Sequence, residues 1–140
     1  MIIIRQHDKC DCGAACLSMI AAYYDLTISL ASCKELTRTD NTGTNIHEIV
    51  EGAGKIGFTA VALSGTPSAL FNGIQRREVS FPMIAHITNE GHVPHFIVLF
   101  SFQDGIFLVG DPAHGEIKMT ESEFIEKWTG YIITFKKQKR

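Results

Sequence analysis

The sequence predicts an α+β fold, an N-terminal helical part packed on a C-terminal antiparallel sheet. Up to Gly57 the apolar side chains recur at helical spacing. From Phe58 onward they gather in short runs rich in Phe, Ile and Val, separated by turn residues. Helices first and strands afterwards exclude a βαβ repeat, in which the two would alternate. At 140 residues with an apolar fraction of 45%, the chain is one domain, long enough to bury a core without staples.

From Cys12, the residues Ala14, Ala15, Cys16, Leu17, Met19, Ile20, Ala21 and Tyr24 keep one apolar face, which predicts a first helix to about Tyr24. Asp25–Leu26–Thr27 breaks it, and a short helix over Ser29 to Leu36 follows. Thr39 to Thr44 has the chemistry of a polar loop. Asn45, with Glu48 three residues on, opens a third helix whose Ile46, Ile49, Val50, Ala53 and Ile56 share a face, and Gly57 ends it.

Phe58 to Leu63 reads as a strand, and Pro67 starts a short helical segment through Phe71. Strands are expected at Phe81 to Ile87, His95 to Phe102, Gly105 to Val109 and Gly115 to Met119. Asn89–Glu90–Gly91 and Gln103–Asp104–Gly105 supply turns between them. Thr120 and Glu123 make a capping box for a helix to about Lys127, and Tyr131 to Phe135 is a final strand.

Charge and termini narrow the function. Four of the 13 basic residues sit at positions 136–140, so the remainder carries nine against 15 acidic ones. A mildly acidic body has no electrostatic footprint for nucleic acid. The apolar run Met1 to Ile4 stops at Arg5, too short for a signal peptide or a membrane span. Without a secretory signal the four cysteines, Cys10, Cys12, Cys16 and Cys33, are expected as reduced thiols in a cytosolic setting.

The chemistry concentrates at the first helix. Cys12 stands at its N-terminus, where unpaired backbone N–H groups and the positive end of the helix dipole favour thiolate, the nucleophilic form. Gly13 leaves room there for a close approach. Gln6, six residues upstream, can offer an amide N–H to an oxyanion. A cysteine hydrolase also needs an imidazole and a group that fixes it. His95 opens a strand just after Pro94, and Asp111 ends the next strand in Gly110–Asp111–Pro112. If the two strands pair as a hairpin, both side chains emerge at one edge and Asp111 can hold the ring of His95 in the useful tautomer.

These residues, Gln6, Asp8, Asp11–Cys12–Gly13–Ala14–Ala15–Cys16–Leu17, then Asn45 to Phe58, His95–Phe96–Ile97–Val98–Leu99 and Asp111–Pro112–Ala113–His114–Gly115, resemble the N-terminal peptidase domain of peptidase-containing ABC transporters. Those are bacteriocin-processing, double-glycine leader peptidases of papain-like cysteine protease fold. The resemblance spans Gln6 to about Phe135. It implies Cys12 as nucleophile, His95 as base, Asp111 as its orienting carboxylate and Gln6 as oxyanion donor, with no cofactor and no metal. It implies a precursor peptide with an amphipathic helical leader as substrate, cut after Gly-Gly or Gly-Ala. The partners it implies are the membrane and ATPase domains of a parent transporter, with this domain on the cytoplasmic side of the bacterial membrane. Residues 1–135 then form the peptidase domain, and 136–140 a basic tail leading towards a membrane domain absent from this chain. Gly54–Lys55 is followed by Ile56, so no Walker A motif is present.

Other readings compete with these assignments. A docking module that binds the leader without cutting it is the first alternative, and a papain-fold transferase or amidase acting on a small molecule is the second. A zinc site from His7, Cys10, Cys12 and Cys16 lacks the usual paired ligand spacing. Cys16 and Cys33 are expected inside, Cys10 part-exposed. His92 is the substitute for His95, His114 a loop histidine, and His47 and His86 surface or satisfied core residues. Asp8 and Asp11 are expected to cap the first helix.

Overall fold

The computed structural model describes residues 1–8 and 10–138. Five α-helices and six strands follow in the order α1 (Cys12–Tyr23), α2 (Leu30–Leu36), α3 (Ile46–Lys55), β1 (Phe58–Ser64), α4 (Pro67–Gln75), β2 (Met83–Asn89), β3 (Val93–Gln103), β4 (Ile106–Asp111), β5 (Gly115–Thr120), α5 (Glu121–Lys127) and β6 (Trp128–Lys137). Every strand pairing is antiparallel, in one sheet of order β1-β6-β2-β3-β4-β5. The α+β architecture expected from the change of period is the one found.

The local signals act as read. Asn45 accepts the N–H of Glu48 at the start of α3. Thr120 and Glu123 exchange both bonds of the capping box ahead of α5. Several boundaries differ. Pro82 has no N–H to give a ladder, and β2 begins at Met83 rather than Phe81. α4 runs on to Gln75, because Thr66 caps it and Pro67 suits its first turn, which outweighs the weak formers Asn72 and Gly73. β6 extends beyond Tyr131–Phe135 at both ends. Lys136 and Lys137, expected in a tail, pair with Thr59 and Phe58 on β1, since charged side chains on a solvated face leave backbone pairing untouched. Lys139 and Arg140 lie outside the described residues.

The sheet buries both faces. On one, α1 and α3 pack Leu17, Ile20 and Ile49 against Phe58, Phe96, Val98 and Ile133. On the other, α4 and α5 cover Met83, Ile97, Leu99, Phe107 and Val109 with Leu70 and Phe124. α1, nearly all small or apolar, is buried around most of its circumference, with Cys16 and Leu17 at 0% exposure. Its N-terminus is thereby fixed against β3, and the chemistry sits at that junction. No helix among the described residues is long and apolar enough to cross a membrane.

Candidate active site

α1 begins at Cys12, a residue 8% exposed that lines an open cleft of about 470 Å³. One side of the cleft is supplied by the loop and helix start at Thr42 to His47, the other by His86, Pro94 and Phe96 from the sheet. Gly13 was expected to admit backbone or substrate. Instead side chains fill the space: an added Cβ would lie 2.5 Å from Thr44 Cγ2 and 3.1 Å from Ile49 Cδ1.

The hairpin forms. β3 and β4 pair with Val98 opposite Gly110, which brings His95 and Asp111 to the same edge. His95 Nε2 lies 2.7 Å from Asp111 Oδ1, with both side chains buried. Burial opposes a charge on His95, but its hydrogen bonds and charge attraction to Asp111 and Cys12 prevail and raise it from 6.5 to about 9. Burial likewise opposes the Asp111 charge. Bonds from His95, the Ala113 N–H (2.8 Å) and His114 outweigh it and lower Asp111 from 3.8 to about 2. With Nε2 engaged by the carboxylate, Nδ1 is the ring nitrogen left for the thiol. The geometry can therefore carry an imidazolium beside the Cys12 sulfur.

Gln6 reaches the same edge. Its backbone N–H donates to Pro112 O at 3.0 Å, and Arg5 clamps the Pro112 and Ala113 carbonyls at 3.3 and 2.7 Å. The Gln6 side chain makes no hydrogen bond among the described residues, and its Oε1 is buried without a partner. A buried side-chain oxygen left uncommitted is rare, and such groups recur at functional sites.

Asp11 departs from its expected role. It occupies the N-cap position, but with αR backbone rather than the extended conformation that aims a side chain at the helix. Its buried carboxylate turns back, accepting the N–H groups of His7 (3.3 Å) and Asp8 (3.0 Å) and pairing with Lys34 Nζ at 3.1 Å. The carboxylate thus braces the loop that delivers Cys12. Among the residues of the zinc alternative, Cys16 is fully buried in the core. The ligand atoms that gather within 4.8 Å are those of Asp8, Cys10 and Asp11.

His92 is exposed in the turn before β3, and all four cysteines are free, Cys10 part-exposed and Cys33 fully buried. His47 lines the cleft from its exposed position, and two further histidines come closer than their sequence context indicated. His114 Nδ1 approaches Asp111 Oδ2 at 3.1 Å, and His86 lines the cleft with Cys12. The three-residue spacing from Asp111 was a readable signal for His114. Nothing local flags His86, which depends on strand order.

The family model for peptidase C39 matches residues 1–140. The chain is 36% identical over 131 residues to the lactococcin-G-processing and transport ATP-binding protein LagD of Lactococcus lactis. It is 37% identical over 132 residues to the mesentericin-Y105 transport/processing ATP-binding protein MesD of Leuconostoc mesenteroides. These alignments cover 94% and 93% of this chain but only 18% of each relative's length. The crystal structure of the peptidase domain of Streptococcus ComA superposes with a TM-score of 0.88 at 30% identity, covering 97% of this chain and 98% of that one. A double glycine motif protease from an AMS/PCAT transporter, solved with its leader peptide, gives 0.86 at 29% identity over 98% and 91% of the two chains.

Proposed function

The chain is a cysteine peptidase of the peptidase C39 family, and on that premise we propose that it removes the leader from a secreted bacteriocin-type precursor by cutting after Gly-Gly or Gly-Ala. The buried pair of His95 and Asp111 beside the Cys12 thiol, open to a cleft, carries this reading. Cys12 Sγ attacks the carbonyl carbon of the last leader residue, and the C=O electron pair moves onto oxygen. The Cys12 N–H at the helix start and the Gln6 amide donate to that oxyanion. The intermediate collapses as the C–N bond breaks and His95 gives its proton to the leaving amine. A water then attacks the thioester, with His95 taking the proton, and the freed leader leaves Cys12 as thiolate. Asp111 keeps the ring oriented throughout.

The domain acts as the peptidase part of an export transporter, on the cytoplasmic side of the membrane. The ATPase and membrane domains of that transporter are its partners. The relatives named as processing and transport proteins support this. The substrate leader docks as an amphipathic helix. A docking module without chemistry would have no use for a charged imidazole held at a thiol. Incubating the domain with candidate double-glycine precursors and weighing the products tests the reading. Fragments that differ by cleavage after the glycine pair are expected, and intact precursors throughout would overturn it.

A further inference from the structure

A second imidazole faces the thiol's cleft, and its protonation is set by its neighbours. His86 lies on β2 opposite Phe96, its ring edge-on to that of Phe96 at 4.9 Å. The pairing of β2 with β6 shifts here: Ala85 faces Ile132 while Ile87 faces Trp128, so β6 bulges opposite His86. Gly130, with φ of 101°, makes the bulge. Bulges re-aim side chains, and this one turns Thr129 onto His86. Thr129 Oγ1 lies 3.0 Å from the His86 carbonyl oxygen and 2.8 Å from Nδ1. A carbonyl can only accept, so it takes the one hydroxyl proton. Nδ1 must then carry a hydrogen and donate it to Oγ1. In the neutral ring Nε2 then keeps the lone pair, and it makes no hydrogen bond among the described residues.

We propose that His86 is a substrate-positioning residue whose neutral Nε2 accepts a backbone N–H from the glycine pair of the bound peptide, a role that rests on the leader-peptidase reading. A glycine offers no side chain to hold, so any hydrogen bond that positions it comes to its backbone. Burial lowers His86 below 6.5, and the charge on His95 lowers it further. The other titratable groups lining the cleft are Cys10, Cys12 and His47, so no carboxylate there favours a charged His86. The site thus keeps one imidazole protonated behind the thiol and another, on the cleft wall, neutral for recognition.

The test uses a synthetic leader-type peptide ending in Gly-Gly before the scissile bond, and two analogues in which glycolic acid replaces each glycine, exchanging that N–H for an ester oxygen. For the wild-type domain, one analogue is expected to raise KM about three- to tenfold with kcat little changed. His86→Phe, which keeps a ring on Phe96, raises KM for the parent peptide similarly and shows no further loss with that analogue. His86→Gln, which restores an acceptor, recovers part of the loss. As pH is taken down below the ordinary histidine value of 6.5 the wild-type KM rises as Nε2 gains a proton, while that of His86→Phe does not. Equal ester penalties in wild type and His86→Phe overturn the role of His86 alone. Failure of the wild-type domain to cut the all-amide peptide overturns the leader-peptidase reading and this role with it.

Discussion

His95 Nε2 and Asp111 Oδ1 stand 2.7 Å apart with both side chains buried, at the ends of two paired strands. Asp111→Asn keeps the shape but presents an amide where a carboxylate held the ring. It should lower kcat by about a hundred- to ten-thousandfold, read from cleavage of a double-glycine peptide under saturating conditions. A loss below tenfold would remove Asp111 from the mechanism.

The same pair sets a pH window. His95 is raised from 6.5 to about 9, so the stabilisation it contributes is complete below 6.5 and lost as pH rises through 9. Asp111 is lowered from 3.8 to about 2, so its contribution is complete above 3.8 and lost as pH falls through 2. Urea midpoints should therefore drop between about pH 6 and about pH 9.5, and drop less in His95→Gln. The alkaline limb of kcat/KM should fall through the same value near 9. A limb near 6.5 would show that the pair does not hold the proton.

This pair was legible because it is local: two strands joined by a tight turn put residues 16 apart at one edge. The caps at Asn45 and Thr120 were legible for the same reason, each being a contact across three residues. His86 was not, because its place beside Cys12 needs β2 inserted between β6 and β3, a pairing order no local pattern encodes. Asp11 was misread as a cap because sequence gives its position but not its backbone conformation. Lys136 and Lys137 were misread as tail because side-chain charge says little about strand pairing.

Gly13→Ala tests the close approach at the head of α1. Its Cβ would sit 2.5 Å from Thr44 Cγ2, and Thr44 is not free to rotate because its hydroxyl is held on Thr37 O at 2.6 Å. The substitution should cost about 1–3 kcal/mol in urea denaturation. Thr44→Ser removes the offending methyl and keeps the hydroxyl, so the double variant should recover most of that loss.

Asp11→Ala tests the brace behind the nucleophile. It leaves the N–H groups of His7 and Asp8 and the Lys34 ammonium without their shared acceptor. A loss of about 1–3 kcal/mol is expected, with a changed rate of Cys12 alkylation by iodoacetamide as the loop loosens. An unchanged alkylation rate would confine Asp11 to stability.

The central claim is that the Cys12 sulfur performs the cleavage. Cys12→Ala and the wild-type domain, given the same double-glycine precursor, settle it by product mass and by leader affinity measured in parallel. No cleavage with undiminished leader binding is the predicted result; fragments released by Cys12→Ala at the wild-type rate would contradict the account.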